Sequence, residues 1–318
     1  MSKLLSYEDI ALIPEKSIVK SRSECRTAVE FCGYYFKAPI IPANMECSIN
    51  FQLAEKLVDE GYFYIMHRFV EYPKLLKWIE QMAHKHKIIS FSVGVKDHDK
   101  ELLKSVWEKG IKIDFVTIDI AHGHSILMEE MIQFIRENDK YVNIIAGNVT
   151  TAEAVEDLSE WGAHVVKVGI GQGHVCTTRL KTGFGSPMFS AVLECANASN
   201  MPIIADGGIK HYGDIAKALV AGATMTMAGS LFARCNDSPA EIINNHGKLF
   251  KYWYGSASGL STNNSLKKYI EGTATMELAN NLSYSQLLGE IEQSLKSSIS
   301  YAGGKTINIF DTVNWELV

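Results

Sequence analysis

Short runs of apolar and β-branched residues alternate along the chain with longer segments in which apolar residues recur every three or four positions. The short runs predict eight strands, at residues 39–43, 62–66, 88–93, 115–120, 142–146, 164–168, 202–205 and 224–228. The segments between most of them, such as "KLLKWIEQMAHKH" and "SILMEEMIQFIREN", have helical spacing. Strands that are apolar throughout and alternate with helices are typical of a parallel sheet covered by helices. Eight such units within about 230 residues predict an α/β fold of the closed (β/α)8 barrel (TIM barrel) type.

Polar and glycine-rich clusters follow the predicted strands. Examples are "ANMEC" after the first strand, "DIAHGHS" after the fourth, "GIGQGHVCTT" after the sixth and "DGGIKHYGD" after the seventh. In a (β/α)8 barrel the carboxyl ends of all strands meet at one rim, and the active sites of this fold lie there. The pattern therefore predicts a functional site at that rim, because folding alone would not concentrate polar residues in this way.

The last part of the chain has a different pattern. A serine- and asparagine-rich stretch at residues 256–265 predicts a mobile active-site loop, since long loops at this rim often act as lids. Beyond it, "SYSQLLGEIEQSLKSSISY" has the spacing of a C-terminal amphipathic helix. The length of 318 residues is ordinary for one barrel, although length alone is also compatible with two domains.

Composition narrows the class of protein. Hydrophobic residues make up 47% of the chain and charged residues 21%, which is typical of a globular protein with a sizeable core. The net charge of −5 argues against a nucleic-acid binder but is compatible with a small anionic ligand. No apolar run approaches the roughly 20 residues of a membrane span, and the N-terminus lacks a signal-peptide pattern. The six cysteines form no CxxC pair, which predicts reduced thiols in a cytoplasmic enzyme.

Two glycine-rich turns follow consecutive predicted strands, at residues 206–208 ("DGG") and 228–230 ("AGS"). Glycines at strand ends often do no more than terminate the strand. Two such turns after the seventh and eighth strands favour a phosphate site, because backbone N–H groups and a short helix N-terminus converge there in this fold. Asp206 would suit the hydroxyls of a ribose as a hydrogen-bond acceptor.

The stretch "VGIGQGHVCTTR" after the sixth strand carries the candidate nucleophile, Cys176. A single cysteine is more often a small core residue than a catalyst. Here Gly169, Gly171 and Gly173 free the backbone to turn its polar groups inward, and two threonines adjoin the thiol. This setting favours a nucleophile over a core cysteine. The two histidines of "DIAHGHS" could bind a metal, but no third ligand at a persuasive spacing is visible.

Nearly the whole chain resembles the IMP dehydrogenase/GMP reductase family. The motifs that carry the resemblance include "YEDIALIPEKSIVKSRSE", "APIIPANM", "TIDIAHGHS", "IIAGNVTTAEAV", "PIIADGGIKHYGDIAKAL" and "SSISYAGG". The most specific is the cysteine loop at residues 167–185, which no common fold-level pattern would generate. The resemblance implies a (β/α)8 barrel, in agreement with the strand pattern, and a single catalytic domain over residues 1–318.

The resemblance also implies a reaction. The reductases of this family convert GMP and NADPH to IMP, ammonia and NADP⁺, a step of purine salvage. By this likeness Cys176 attacks C2 of the purine, ammonia leaves to give a covalent thioimidate, and hydride from NADPH then releases IMP. Thr178 and Glu271 match the proton relay that the leaving amino group needs.

Three sets of binding positions follow from the same resemblance. Those for GMP or IMP are Asp206, Gly207, Gly208, Gly229, Ser230, Gly255, Ser256, Ala257, Lys268, Gly272 and, on the phosphate side, His174. Those for NADPH are Ser21, Arg22, Arg68, Asp119, Ile120, Ala121, Ile170, Gly171, Ser297, Ser298, Ile299 and Ser300. A monovalent cation, K⁺, would bind the carbonyls of Gly171, Gly173 and Cys176, with Arg179. Because some cofactor positions of the family reach across a subunit interface, the resemblance implies a homotetramer.

Two absences favour the reductases of the family over its dehydrogenases. The stretch "MHRFVEYPKLLKWIEQM" leaves no room for the regulatory module that most dehydrogenases insert there. Residues 256–271 contain no arginine, and no tyrosine before Tyr269, whereas the dehydrogenase flap activates water with an arginine–tyrosine pair. A dehydrogenase without the module is one alternative. A catalytically weak purine-nucleotide-binding protein is another, suggested by Gln172 and His174, where the family usually has G-P-G-S or G-P-G-K.

Overall fold

A computed structural model describes residues 4–256, 258 and 271–318. Its strands are β1 (Ile10–Leu12), β2 (Val29–Phe31), β3 (Tyr34–Phe36), β4 (Ile40–Pro42), β5 (Ser90–Val93), β6 (Phe115–Asp119), β7 (Asn143–Val149), β8 (Val165–Val168), β9 (Ile203–Asp206), β10 (Met225–Ala228), β11 (Glu241–Asn245), β12 (Lys248–Tyr254), β13 (Ala274–Leu278) and β14 (Trp315–Leu317). Its α-helices are α1 (Phe51–Asp59), α2 (Tyr72–His84), α3 (Asp97–Glu108), α4 (Ile126–Asn138), α5 (Ala152–Trp161), α6 (Thr178–Thr182), α7 (Met188–Ala198), α8 (Tyr212–Val220), α9 (Ser230–Ala233) and α10 (Tyr284–Tyr301). Of the predicted mobile loop, only Ser256 and Ser258 are among the described residues.

The central sheet has seven parallel strands in the order β4-β10-β9-β8-β7-β6-β5. The first of these strands along the chain pairs with the last, with Ile41 opposite Met227. An open doubly wound sheet would keep those two strands apart, whereas a sheet that curls into a barrel brings them together. The fold is therefore a mixed α/β architecture consistent with the predicted (β/α)8 barrel. Seven of the eight predicted strands are confirmed, with small shifts of their ends.

The prediction of a regular strand at residues 62–66 was wrong. The segment is buried and lies beside β5, where the eighth strand of a barrel belongs, but it forms a single bridge, between Met66 and Phe91. The backbone N–H of Met66 donates to Ser90 O at 3.1 Å, and the N–H of Ser92 donates to Met66 O at 2.8 Å. Two hydrogen bonds hold the segment against its neighbour without making a ladder long enough for a strand.

The helices around the sheet begin at polar caps and bury apolar faces. Ser125 accepts a hydrogen bond from the N–H of Met128 at the start of α4, and Thr151 accepts one from Ala154 at the start of α5. On α4, the buried residues are Met128, Met131, Ile132 and Ile135, which recur at helical spacing. The predicted C-terminal helix is confirmed as α10. Among the described residues, no helix has both the length and the apolar character to cross a lipid bilayer.

A hairpin closes one end of the barrel and leaves the other end for the site. Strands β2 and β3 contribute Phe31 to an aromatic cluster in which its ring lies 5.2 Å from that of Phe63 and 5.8 Å from that of Phe115. Phe115 is the first residue of β6, so this cluster covers the amino ends of the strands. The carboxyl ends are consequently the accessible rim.

A small antiparallel sheet, β11-β12-β13, stands at the carboxyl rim. The sequence pattern did not predict it, since residues 237–250 read as polar. Strand β12 ends directly before Gly255, and β13 begins just after Glu271 and Gly272. This sheet therefore carries both edges of the predicted mobile loop and places Glu271 at the rim.

Lys251 of β12 anchors the small sheet to the barrel. It is only 1% exposed, and its ammonium donates to the carbonyls of Asn236, Ser238 and Ala240 at 3.2, 3.1 and 3.1 Å. These carbonyls belong to the turn after α9. The charge of a buried ammonium must be compensated, and three carbonyl dipoles do so here.

Replacing this ammonium tests whether it holds the small sheet in place. Lys251→Met should lower the free energy of unfolding by about 3 kcal/mol, because it leaves buried carbonyls without a donor. Urea denaturation measures the change. The control is Lys248→Met on the same strand, where the side chain is exposed and the expected change is within about 0.5 kcal/mol. Equal effects of the two substitutions would contradict an anchoring role.

Candidate active site

A cavity of about 980 Å³ opens at the carboxyl ends of the barrel strands. It brings together residues that lie far apart in the sequence and come from at least six loops. Of the residues singled out from the sequence, those on its wall are Arg68, Asp119, Ile120, Ala121, Ile170, Gly171, Gly173, Cys176, Thr178, Asp206, Gly207, Gly255, Ser256, Glu271 and Gly272. The volume is that of a small-molecule or cofactor site. Ala257 and Lys268, also predicted to bind substrate, lie outside the described residues.

Three side chains form a hydrogen-bonded chain at the cavity wall. The thiol of Cys176 lies 3.3 Å from the hydroxyl oxygen of Thr178, and that hydroxyl donates to Oε2 of Glu271 at 2.8 Å. A hydroxyl between a thiol and a carboxylate can pass a proton from one to the other or to a bound molecule. The thiol is a free cysteine that is partly exposed to the cavity. The arrangement can therefore combine a nucleophile with a proton relay.

Backbone contacts hold the two segments of this chain together. Cys176 and Gly272 form an antiparallel bridge. The N–H of Thr177 donates to Glu271 O at 2.8 Å, and the N–H of Thr273 donates to Val175 O at 2.8 Å. The catalytic loop, defined here as residues 169–178, is thus paired with the segment that leads into β13. This pairing explains how Glu271 reaches Thr178, although its local sequence carries no motif of its own.

A buried lysine ties three strand ends together beneath the cavity. Nζ of Lys167 lies 2.8 Å from Oδ1 of Asp119 and 2.7 Å from Oδ2 of Asp206, and its side chain is 3% exposed. The amide of Asn148 donates to the same Oδ2 of Asp206 at 2.8 Å and to Gly169 O at 2.7 Å. Asp206 is therefore fixed in orientation, with one carboxylate oxygen engaged by two donors.

The charges of this network stabilise one another. Burial opposes the charge of Lys167, but Asp119 and Asp206 outweigh it, so the pKa of its ammonium lies above the ordinary value. Burial likewise raises the pKa of the Asp119 carboxyl, but the Lys167 ammonium more than reverses this and holds that pKa below the usual range. Lys167 and Asp119 therefore each favour the charged form of the other.

Two glycines let the catalytic loop approach the strand ends. Gly169 has φ +143°, and a Cβ at this position would lie 2.0 Å from Asp206 O. Gly207 has φ +98° and packs against the backbone of Gln172 and Gly173. Side chains at either position would push the loop away from Asp206 or strain the backbone. The glycine pattern that suggested a cradle is thus explained by the close contact between two strand-end turns.

The predicted phosphate turns flank the cavity. Gly207 lies on its wall, and Gly208 packs against Met188 and Tyr7. Gly229 directly precedes the short helix α9, which begins at Ser230, and it contacts Ala43 and Met45. Ala43 and Met45 themselves line the cavity, so both turns lie at its edge. The positions are compatible with a phosphate, although binding itself stays a prediction.

The predicted cofactor residues separate into two groups. One group lines the cavity, namely Arg68, Asp119, Ile120, Ala121, Ile170 and Gly171. The other group lies where the N-terminal segment meets α10. There Arg22 Nη1 donates to Ser297 Oγ at 3.2 Å, and the hydroxyls of Ser17 and Ser300 are 2.9 Å apart. Ser21 caps the short 3-10 helix that begins with Arg22, and Ser298 and Ile299 belong to α10.

Arg68 is presented to the cavity by its neighbours. The N–H of Phe69 donates to Nδ1 of the buried His67 at 3.1 Å, and burial lowers the pKa of this histidine to about 4. His67 is therefore neutral near pH 7 and acts as an acceptor that fixes the turn. The guanidinium of Arg68 stacks 4.7 Å from the ring of Phe69. Its Nε is buried and has no hydrogen-bond partner among the described residues.

His174 contacts a side chain with which the sequence analysis did not pair it, that of Glu277. Its Nε2 lies 2.7 Å from Oε1 of Glu277 on β13, and its ring packs 5.4 Å from that of Trp253. The contact of His174 with phosphate stays a prediction. The contact between His174 and Glu277 had no signal in the sequence, because nothing in the residues around Glu277 marks it as a partner.

Of the residues predicted to hold a monovalent cation, Gly171, Gly173 and Cys176 lie in the catalytic loop and Arg179 lies in α6. The N–H of Cys176 donates to Gly173 O at 3.0 Å, and Gly171 packs against Arg179. Of the two histidines considered as metal ligands, His124 pairs instead with Asp157 at 2.7 Å. Within the part of the chain that is described, no three His, Cys, Asp or Glu side chains cluster as metal ligands would.

Lys167 and Asn148 are site residues that the sequence reasoning missed. A signal existed for Lys167, since it is the one charged residue in the apolar run "HVVKVG". A charged residue inside a strand that is apolar throughout is expected to have a buried partner. Asn148 had no comparable signal, because the polar turn "GNVTT" is compatible with ordinary solvent exposure.

The chain matches one family model and several named proteins over nearly its full length. The family model described as "IMP dehydrogenase / GMP reductase domain" matches residues 4–316. The GMP reductase of Bacillus subtilis (strain 168) is 47% identical over 320 residues, which cover 100% of this chain and 97% of that protein. The GMP reductase of Staphylococcus carnosus (strain TM300) is 45% identical over 99% of this chain and 97% of its own length. That of Clostridium acetobutylicum is 46% identical, covering 100% of this chain and 97% of that protein.

Removing the Lys167 ammonium tests the buried network. Lys167→Met should lower the free energy of unfolding by about 3–5 kcal/mol at pH 7, because Asp119 and Asp206 lose their shared cation. Lys210→Met removes an ammonium that pairs with Glu8 on the surface and should cost less than about 1 kcal/mol.

The free energy of unfolding that Lys167→Met loses should depend on pH, and the direction follows from the Asp119 pKa shift. In the folded wild-type protein the pKa of Asp119 is lowered. The ionised carboxyl therefore stabilises the fold fully above the unfolded pKa of about 4, and this stabilisation is lost as the pH falls from there through the folded pKa. In the variant the buried carboxyl lacks its cation, its pKa rises, and protonation relieves it. The difference between the two proteins should therefore shrink from pH 7 to pH 5 in denaturant titrations, and a constant difference would contradict the network.

Proposed function

The chain belongs to the IMP dehydrogenase / GMP reductase family, and we propose that it is an oxidoreductase that catalyses the NADPH-dependent reductive deamination of GMP to IMP and ammonia. The observation that carries this proposal is the hydrogen-bonded chain of Cys176, Thr178 and Glu271 at the wall of a nucleotide-sized cavity. Relatives that match over the full length of the chain are named GMP reductase, which supports the same activity.

In the proposed reaction the thiolate of Cys176 attacks C2 of the purine and forms an S–C2 bond. The C2–N bond then breaks, and the amino group leaves as ammonia once it has been protonated. The Cys176 thiol gives up a proton when it attacks. The Thr178 hydroxyl and the Glu271 carboxylate, which are hydrogen-bonded to each other beside the thiol, would hold this proton and pass it to the leaving amino group. The remaining thioimidate is covalently bound to Cys176, and the S–C2 bond breaks when C2 is reduced.

The proposed substrate would be oriented by the turns around Cys176. Asp206 would accept hydrogen bonds from the ribose hydroxyls, and Lys167 and Asn148 hold its carboxylate for this role. The phosphate would bind the turns of Gly207, Gly208, Gly229 and Ser230, and the purine would bind Gly255, Ser256, Ala257, Lys268 and Gly272.

NADPH would supply the hydride to C2. The cavity fits such a molecule beside Cys176, because its wall continues over Asp119–Ala121 to Arg68. The buried Nε of Arg68, which has no partner among the described residues, is a donor available to a polar group of the dinucleotide. Asp119 and Arg68 would orient the cofactor, while Ile120 and Ile170 would exclude water from the face of the purine.

We further propose a homotetramer with K⁺ at the catalytic loop. Arg22 and Ser297 contact each other on the surface between the N-terminal segment and α10, which suits them to a neighbouring subunit's cofactor. The carbonyls of Gly171, Gly173 and Cys176, with Arg179, would hold the cation. The six free cysteines suit a reducing compartment, the cytoplasm. The single-domain organisation over residues 1–318 remains part of this proposal.

The reaction itself is tested by measuring which substrate pair is consumed. We expect NADPH oxidation that requires GMP and yields IMP. Reduction of NAD⁺ with IMP would favour a dehydrogenase without the regulatory module, which the names of the relatives do not support. Nucleotide binding without either turnover would favour a catalytically weak binding protein.

Cys176→Ala should abolish turnover while GMP binding, measured by isothermal titration calorimetry, is retained. The reason is that the variant loses the covalent step but keeps the ribose and phosphate turns. Cys32→Ala is the control, since that thiol is also free and lies on the hairpin at the opposite end of the barrel. Turnover by Cys176→Ala near the wild-type rate would contradict the mechanism.

Removal of the proton relay should slow the loss of ammonia. Thr178→Val and Glu271→Gln should each lower kcat by about 10²–10⁴-fold, with little change in GMP binding. Thr178→Ser keeps the hydroxyl and should restore most of the rate. A Thr178→Val variant with unchanged kcat would show that the hydroxyl carries no proton.

A further inference from the structure

The pair formed by His174 and Glu277 joins the two segments that carry the proposed catalytic residues. His174 lies in the catalytic loop, two positions before Cys176, and Glu277 lies on β13, the strand that follows Glu271. The 2.7 Å between Nε2 and Oε1 is a distance at which an imidazole N–H donates a hydrogen bond to a carboxylate. The pair thus connects the same two segments as the bridge between Cys176 and Gly272.

The backbone contacts between these segments are few. Within the described part of the chain, they are the two hydrogen bonds that make up the bridge, from the Thr177 N–H to Glu271 O and from the Thr273 N–H to Val175 O. An extended segment advances about 3.3 Å per residue, so a small slip would separate the Thr178 hydroxyl from the Glu271 carboxylate. A side-chain contact farther along the pairing opposes such a slip.

Glu277 is supported from several sides. Its Oε2 lies 3.7 Å from Nε of Arg234, which also donates to Leu278 O at 3.1 Å. Lys251 stands opposite Glu277 in the strand register. On the other side of the pair, the His174 ring packs against the buried Trp253. The carboxylate is therefore a fixed point on the small sheet to which the loop is attached.

The pair is too exposed to stabilise the whole fold by much. The His174 side chain is 49% exposed and that of Glu277 is 21% exposed. Contacts of this kind contribute little to the free energy of global unfolding. Their effect on a loop held by few other hydrogen bonds is larger in proportion, because local opening depends on local contacts.

We propose that the His174–Glu277 pair is a positioning contact that keeps the catalytic loop in register with the segment before β13. Its effect on turnover rests on the proposed role of Cys176, Thr178 and Glu271. Loss of the pair leaves the ribose and phosphate turns intact but misaligns the relay. The expected signature is a lower kcat with little change in KM for GMP.

The experiment compares His174→Ala, Glu277→Ala and the double variant with the wild-type protein. Each single variant should lower kcat about tenfold, and the double variant should lose no more than either single, because both remove the same contact. Glu277→Gln keeps an acceptor oxygen and should restore most of the rate. The control is His124→Ala, which removes a matched pair with Asp157 at 2.7 Å whose imidazole likewise packs near a tryptophan, Trp161.

Amide hydrogen exchange provides a readout that does not depend on activity. In His174→Ala and Glu277→Ala, the peptide that contains Cys176 and Thr177 should exchange about tenfold faster, whereas His124→Ala should leave it unchanged. Thermal unfolding should be nearly unaffected in all variants, which excludes loss of the fold as the cause. The result that would support the proposal is faster exchange together with reduced kcat and non-additivity.

Other results would overturn it. Unchanged exchange with wild-type kcat would remove the positioning role and leave the proposed reaction standing. A raised KM for GMP with unchanged kcat would instead make His174 a phosphate ligand. Additive losses in the double variant would show that the two residues act separately. If the wild-type protein lacked GMP-dependent NADPH oxidation, the reaction would be wrong, and hydrogen exchange would still decide whether the pair holds the loop.

Discussion

The ammonium of Lys167, held between Asp119 and Asp206, is the interaction on which the geometry of the cavity depends. Asp119 and Asp206 are the last residues of β6 and β9, and Lys167 is one residue from the end of β8, so their ion pairs fix the relative height of the strand ends. From β8 the chain turns at Gly169 into the catalytic loop, and from β9 it turns at Gly207 toward the proposed phosphate site. A buried ammonium is tolerated here because two carboxylates are hydrogen-bonded to it. Removing any one of the three groups would leave a buried charge without full compensation and would strongly destabilise the fold.

A second layer of contacts is built on that base. The catalytic loop is attached to the barrel at Gly169, where only a glycine leaves room for Asp206 O, and it is attached to the small sheet through Cys176, Thr177 and Val175. Lys251 fixes the small sheet itself by its three carbonyl contacts. The two ends of the Cys176–Thr178–Glu271 chain therefore belong to two parts of the molecule, the barrel and the small sheet, and their alignment rests on a short antiparallel pairing. The reaction proposed for this family member requires that alignment at the level of single hydrogen bonds.

The strand pattern was sufficient for most of the fold, because strands buried on both faces must be apolar throughout and the helices between them must be amphipathic. It failed at residues 62–66, where an apolar run makes one bridge and no ladder. An apolar run indicates that a segment is buried, but it does not show whether the backbone pairs with a neighbouring strand. The strand pattern also missed β11 to β13. In β11 and β12, asparagines, lysines and aromatic residues follow one another without clean alternation, and β13 is only five residues long. For the site, the motif around Cys176 indicated the thiol and its glycines. The lysine of "HVVKVG" was visible as an anomaly, but its two partners were not.

The sequence by itself determined the barrel class, the rim at which the site lies, the candidate nucleophile and, through its motifs, the family. These features depend on the residue types within single stretches of chain and on the order in which the stretches follow one another. The resemblance implied that Thr178 and Glu271 act together, and the tertiary structure gave their contact. Only the tertiary structure decided that Lys167 meets two aspartates and that His174 meets Glu277. Such pairings depend on the register between segments far apart in the chain, and register is set by backbone hydrogen bonds and close packing, which leave no mark on any single stretch of sequence.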